Sequence, residues 1–524
     1  MPGEVRNDLF VRLERGQFGV PGGKLGLVAA TTQQGGRNIE VTLRMLTRDG
    51  MELEGRVHPA AGTGGGAHPQ PAVFYHTSTP HWEETYRLEI PIDLHIASSC
   101  HLRLEYRHCS PKERQEKRLF GFSVLSLMEP NETVLKDGVH HLPIIRCEQP
   151  ENMNPALYAG SILTGGSDSK TATMGAELAA KPGKEWMRVS TLLCSTKLTQ
   201  NLDLRALLKW RDHPVDIRDI LAKIMRTGGE EIVKFLQDIL DALFAMFSTE
   251  EGNSTDHSGI VFQALLHILL CVQEAKFRQF QTDLDAYIET HFSAPLVYKG
   301  LLTCVGHCAA IVPETDKQDA IRKCFQSLGY VFKFIVRSRK LFAEATGGQN
   351  EDSFCAEVRH LFDIFNKMLA NPSTKVLPTQ QVFLKNLASI YPSIIKVMPV
   401  MDIIKYVSLT LDSLGLKSSQ ILHKDSLCAA RAALSGPLWA ERQGRGQLLM
   451  PAIKLVNLHL QSRWELERCT DIILQIVQSF MEDNNNQENA LRLPPRLQLM
   501  SHRQKSSLPT KTKCKKIHGL CPMK

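Results

Sequence analysis

The 524-residue sequence has no uninterrupted apolar run approaching the ~18 residues of a membrane-spanning helix. Its opening residues, Met1-Pro2-Gly3-Glu4-Val5-Arg6-Asn7-Asp8, lack the apolar core of a signal peptide. Also missing are a paired-glycine dinucleotide fingerprint, a His-Glu-x-x-His zinc helix and a nucleophile elbow, so the chain offers none of these catalytic signatures. Gly19-Val20-Pro21-Gly22-Gly23-Lys24 is reminiscent of a phosphate-binding loop, but Phe18 stands where that motif needs glycine and Leu25 where it needs Ser or Thr. A disulfide frame is equally unsupported. The thirteen cysteines are odd in number and scattered, and Cys271, Cys304 and Cys324 sit inside apolar helical patterns, as expected of reduced, buried thiols in the cytosol. Cys304 and Cys308, with His307 between them, share a helix but provide no four-ligand set, and Cys514, His518 and Cys521 lack a fourth partner, so no metal is expected. Without a secretory signal, Asn131-Glu132-Thr133 and Asn253-Ser254-Thr255 read as chance glycosylation patterns.

What is present is an ordinary globular composition, 43% hydrophobic and 22% charged, long enough for more than one core. The net charge of +7 belongs to the end of the chain: residues 491–524 carry nine Lys or Arg and no acid, leaving the rest slightly acidic. This tail has no aromatic residue on which a base stacks, so nucleic acid is not an expected partner.

The period of the apolar residues changes along the chain. In residues 7–145, Ile39, Val41, Leu43 and Met45 alternate with Glu40, Thr42 and Arg44, and residues 86–90 and 102–106 repeat that period of two. Asp49-Gly50 and Asp137-Gly138 mark turns. Short strands at this spacing predict an antiparallel β-sandwich. Residues 150–185 read as a long Gly-, Ser-, Ala- and Lys-rich loop, after which Met187, Val189 and Thr191 predict a final strand returning to the sandwich. From about Leu202 the period becomes helical: Ile232, Phe235, Leu236, Ile239, Leu240, Leu243 and Phe247 line one face. Similar patterns over 261–272, 318–342, 353–369, 379–395, 401–414 and 450–480 predict an all-α, armadillo-like stack of helical repeats. The expected organisation is a sandwich over 1–200, a helical scaffold over 201–480 and a disordered basic tail over 481–524.

The chemically suggestive run is residues 107–118, from Arg107 through Lys112, Arg114, Lys117 and Arg118, between two predicted strands. Composition alone reads it as a solvated loop of mixed charge. Its density of cations also fits a cradle for headgroup phosphates, where each basic residue contributes on the order of 1 kcal/mol. A calcium-dependent lipid site needs several carboxylates in opposed loops. Residues 15–38 contain none and residues 107–118 only Glu113 and Glu116, so calcium is not expected.

Several strings are more specific. Residues 75–84 (Tyr75 to Glu84), Ile90-Pro91-Ile92 and residues 101–110 resemble the first Dock homology region, a C2-type sandwich of the dedicator-of-cytokinesis exchange factors. Residues 195–201 followed by Leu207-Leu208-Lys209-Trp210, residues 231–238 and residues 332–339 are similar to the same family, and the resemblance runs from about Arg6 to about Phe480, nearest the Rac-acting subgroup. It implies a phosphoinositide-binding sandwich, a helical middle and a distant exchange domain. The lipid-facing positions it implies are Lys112, Arg114, Lys117 and Arg118, with Lys24 from the other loop. Neither the family's amino-terminal SH3-type region nor its exchange domain is expected in this chain, which should not exchange nucleotide alone. The expected protein is thus a cytoplasmic, non-enzymatic recruitment and scaffold unit without a cofactor. It would meet phosphatidylinositol phosphates at the plasma membrane and protein partners on its helices, and a Rac-type GTPase only through the exchange domain. The competing expectation is a protein-interaction scaffold without lipid binding.

Overall fold

A computed structural model describes residues 5–19, 37–60, 69–93, 99–109, 117–129, 132–147, 149–155, 158, 185–212, 216–247, 249, 254–312, 318–414 and 420–485. They divide into two compact units, Met1–Ala245 with Glu274–Phe280, and Met246–Gln273 with Gln281–Lys524.

The first unit is built on a sandwich of two five-stranded antiparallel sheets. Its strands are β1 (Asn7–Gln17), β2 (Arg37–Leu46), β3 (Val57–Pro59), β4 (Phe74–Thr77), β5 (His81–Glu89), β6 (His101–His108), β7 (Arg118–Ser126), β8 (Gly138–Pro143), β9 (Ile145–Arg146) and β10 (Trp186–Ser195). One sheet runs β3-β5-β1-β10-β8 and the other β4-β2-β6-β7-β9. The returning strand read from Met187, Val189 and Thr191 is β10, paired with β1 and β8. The predicted alternation places Leu9, Val11 and Leu13 of β1, Ile39, Val41 and Leu43 of β2, and Leu102, Leu104 and Tyr106 of β6 in one dry core. Removing each such side chain from water stabilises the fold by about 1.5–3 kcal/mol. At the turn after β2, Gly50 has φ +88°, a conformation that favours glycine, and its N–H donates to the Thr47 carbonyl.

The other face of the β2-containing sheet departs from the simple alternation, because Glu40, Thr42 and Glu105 are all buried on it. A second apolar cluster lies there, formed by Leu119, Phe122, Val124, Ile145, Cys147, Met153 and Tyr158. Met153 and Tyr158 fall within the segment read as a loop. The first ends a short 3₁₀ turn (Pro150–Met153) and the second hydrogen-bonds His101 at 2.7 Å, so the start of that segment is pinned to the sheet.

The helices are α1 (Leu202–Leu208), α2 (Ile217–Ile224), α3 (Gly229–Lys234), α4 (Leu236–Phe247), α5 (Ser258–Gln273), α6 (Gln281–Ala286), α7 (Val297–Ala310), α8 (Gln318–Gln326), α9 (Leu328–Thr346), α10 (Glu351–Leu369), α11 (Leu377–Leu387), α12 (Tyr391–Ile394), α13 (Val400–Ser413), α14 (Gln420–Ser435), α15 (Pro437–Ala440), α16 (Arg445–Ser462) and α17 (Leu466–Asn485). In the second unit they stack in rows. One row is α7, α10, α13 and α16, another is α5, α8, α11, α14 and α17, and α9, α12 and α15 form a third. Each row buries an apolar stripe against the next repeat, as an armadillo-like stack requires. Some stretches read as single helices are two, among them the face from Ile232 to Phe247, which Phe235 divides between α3 and α4. The 318–342 pattern breaks at Ser327, and the 450–480 pattern breaks where Arg463 turns left-handed at φ +55°. A short break that keeps the apolar stripe in phase is invisible to periodicity.

Candidate anion-binding rim of the sandwich

The basic run 107–118 and the segment that carries Lys24 leave the sandwich from anchors that converge at one end. Residues 20–36 connect β1 to β2, and residues 110–116 connect β6 to β7. Asn38, buried at the start of β2, holds these anchors together. Its Nδ2 donates to the Cys109 carbonyl at 2.8 Å, its carbonyl accepts from Cys109 N–H at 3.0 Å, and its Oδ1 accepts from His76 N–H at 3.0 Å. On the β1 side, Phe18 N–H donates to the Ser78 carbonyl at 2.8 Å. The Phe18 ring meets Tyr106 and Phe120 edge-on, with centroids 5.1 and 5.9 Å apart. Gly19 N–H donates to the carboxylate of Glu185, which also takes the guanidinium of Arg146.

Lys24, Lys112 and Arg114 lie outside the described residues. Of the remaining site residues, Arg118 is exposed at the start of β7, and Lys117 precedes it with its Nζ 2.5 Å from Glu40 Oε2. That hydrogen bond raises the Lys117 pKa and keeps the ammonium charged. The carboxylate of Glu40 has 5% of its surface exposed, so Lys117 neutralises a buried charge as well as facing solvent. Cys109 Sγ is 3.5 Å from the same carboxylate; burial first, and then that negative charge, push its thiol pKa up.

Next to this pair is an arginine network that the sequence reading did not identify. Glu105, 1% exposed, receives Arg103 at 2.7 Å and Arg107 at 2.6 Å, with Arg44 at 3.4 Å. Burial opposes the charged carboxylate, but the arginines prevail and hold its pKa below the usual range. Arg107 also donates to Thr42 Oγ1 at 3.0 Å, and Arg103 to the Met153 carbonyl at 2.8 Å. Arg107 is therefore structural, although it opens the run read as an anion cradle. The available signal was β7: Leu119, Phe120, Phe122 and Val124 are apolar on both faces, which marks a covered sheet rather than a solvated one.

Elsewhere, the geometry leaves Cys304 and Cys308 as thiols on α7. Burial pushes Cys304 up to about 12, while Cys308 is lowered by a hydrogen bond with Cys324. Among the described residues, no group of three or more His, Cys, Asp or Glu is placed to hold a metal ion. Among them also, no single helix is long and apolar enough to cross a membrane.

A two-sheet sandwich followed by stacked helical repeats defines a modular protein of the C2-plus-helical-region class. The model for the C2 domain in Dock180 and Zizimin proteins matches residues 2–203, and that for the dedicator of cytokinesis (DOCK) TPR region matches residues 213–500. The chain belongs to the dedicator of cytokinesis family. It is 35% identical over 506 residues to dedicator of cytokinesis protein 4 of Homo sapiens, covering 94% of this chain and 24% of the relative. Against dedicator of cytokinesis protein 3 of Mus musculus it is 35% identical over 479 residues, covering 90% and 23%. The chain thus spans about a quarter of the length of these curated relatives. A C2 domain of plant extended synaptotagmin 1 aligns with 37% of this chain and 97% of its own at 11% identity and a TM-score of 0.20, too slight a likeness to argue from.

Proposed function

We propose that this chain is the membrane-recruitment and scaffold portion of a guanine-nucleotide exchange factor acting on Rac-type small GTPases. In this reading the sandwich binds phosphatidylinositol phosphates through Lys112, Arg114, Lys117, Arg118 and Lys24, and the helical stack docks protein partners. The protein works in the cytoplasm and at the inner face of the plasma membrane. The observation that carries the reading is that the anchors of the basic run and of the segment carrying Lys24 converge at one end of the sandwich, around Asn38 and Phe18. Cations carried from both anchors would share the phosphates of one headgroup. The ion pair with Glu40 commits part of the Lys117 charge to the protein itself.

The test is co-sedimentation of the whole chain with vesicles containing a phosphoinositide, against vesicles of equal charge made with phosphatidylserine. The basic tail binds both, so the rim is read from the phosphoinositide excess. Lys112→Glu, Arg114→Glu and Arg118→Glu together should remove that excess, leaving the serine-lipid binding; Lys117 is spared because its replacement would strand Glu40. An excess unchanged in the triple variant sinks the lipid reading and favours the scaffold alone.

A further inference from the structure

The helical unit carries a groove of ≈ 460 Å³ along its third row of helices, between α9, α12 and the π-turn Tyr287–His291 that follows α6. That volume lies within the range of preformed ligand sites. Lys333, Arg337 and Lys340 are spaced four and three residues apart, so they project from one face of α9 into the groove, and Lys396 joins them from beyond α12. Two acids, Asp285 and Glu289, share the lining. Asp285 is already engaged by Lys333 at 2.5 Å. Among the described residues, Arg337, Lys340 and Lys396 form no ion pair, and the Nε of Arg337 is enclosed without a hydrogen-bond acceptor. An enclosed guanidinium nitrogen without an acceptor is costly in a finished structure and points to an absent anionic partner.

We propose that this groove is a docking site for an acidic peptide segment of a protein partner, one that alternates carboxylate and aliphatic side chains. Charge complementarity supplies the first requirement, with three uncommitted cations facing one uncommitted acid. Ile288, Val336 and Pro392 supply the second, an apolar lining beyond what a bare anion needs. The groove's shape argues against a membrane. Arg337 and Lys340 are half-buried in its wall, whereas a flat bilayer reads fully exposed cations. The chain's own tail is basic and is repelled here. The proposal deepens the scaffold half of the function above and does not depend on lipid binding by the sandwich.

The experiment is fluorescence anisotropy on the full chain with a labelled peptide of Glu-Leu-Glu repeats, alongside Gln-Leu-Gln and Lys-Leu-Lys counterparts. The Glu peptide should bind at least about tenfold more tightly than the Gln peptide, and Arg337→Glu with Lys340→Glu should abolish that difference. The double variant should also gain affinity for the Lys peptide, a gain that neither the basic tail nor a loss of folding can produce. Lys396→Glu alone, at an exposed position, should weaken Glu-peptide binding several-fold should the double variant fail to fold. Equal Glu-peptide binding by the wild type and all variants would assign it to the tail and overturn this site while leaving the scaffold role standing. Loss of phosphatidylserine-vesicle binding in the groove variants, with peptide binding unchanged, would overturn it in favour of a membrane contact.

Discussion

His101 is fully buried at the start of β6, its Nε2 2.7 Å from Tyr158 Oη and the two rings meeting edge-on. Burial, reinforced by the charge of Arg103, lowers its pKa to about 4. An unfolded chain takes up this proton near pH ~6.5. Between that pH and about 4 the unfolded state therefore binds the extra proton and the folded state does not, so stability falls as pH falls through this window and levels off below it. The difference amounts to on the order of 3 kcal/mol at the acid end. Urea unfolding followed from pH 7 to pH 4.5 should show a falling midpoint in the wild type and a flatter one in His101→Gln; parallel slopes would refute the assignment. Glu105 adds a loss further into the acid, because its depressed pKa gives stability that disappears as the carboxylate finally protonates. Neither group was singled out from the sequence. Residues 102–106 read as one strand with a polar face, and only the apolar cluster around Phe122 and Tyr158 makes that face an interior.

At the scale of elements, the segment from Ser195 to Asn201 explains why a string there is so specific. Ser195 Oγ donates to Asn7 Oδ1 at 2.6 Å and accepts from Leu198 N–H at 2.8 Å, closing the end of β10. Thr199 Oγ1 donates to Glu231 at 2.9 Å, and Lys234 Nζ donates to the Leu198 carbonyl at 2.9 Å, joining α3 to the sandwich. Asn201 caps α1, its Oδ1 accepting from Asp203 and Leu204 N–H at 2.9 and 3.0 Å. Asn201→Ala should lower stability by about 1 kcal/mol, and Asn201→Asp should restore most of it, as read by thermal melting of the whole chain. Strand and helix periods were legible because one face of each element meets a core: Ile39, Val41, Leu43 and Met45 are buried, and so is the apolar face from Ile232 to Phe247, although Phe235 divides that face between α3 and α4. Breaks were not, since Ser327 and the left-handed Arg463 divide helices without changing the spacing of the apolar residues.

At the scale of the molecule, the family was legible from strings whose side chains make structural bonds. In the 332–339 string, Ser338 Oγ accepts from Tyr298 N–H at 3.0 Å and donates to the Ala294 carbonyl at 2.7 Å, while the Arg339 guanidinium lies 5.8, 5.3 and 5.5 Å from the Tyr298, Phe342 and Phe354 ring centroids. Such positions tolerate little change because several groups depend on each. The cations proposed for the rim leave no such pattern in the sequence, because a loop of mixed charge reads the same with or without a ligand. If recruitment and scaffolding are the chain's work, adding it alone to nucleotide-loaded Rac should leave the release rate of a fluorescent nucleotide at its intrinsic value. Acceleration at micromolar chain would contradict that division of labour.

The stitching around residues 195–201 also governs how the protein can be dissected. Leu198 is part of the sandwich's own apolar interior, and Glu231 and Lys234 supply partners to the segment leading to it. A scissor cut at residue 200, the obvious place by period alone, would leave a fragment with a raw, fraying carboxyl end. Carrying the cut past Ala245 retains those ties, so fragment solubility should depend more on where the clone stops than on which strands it contains.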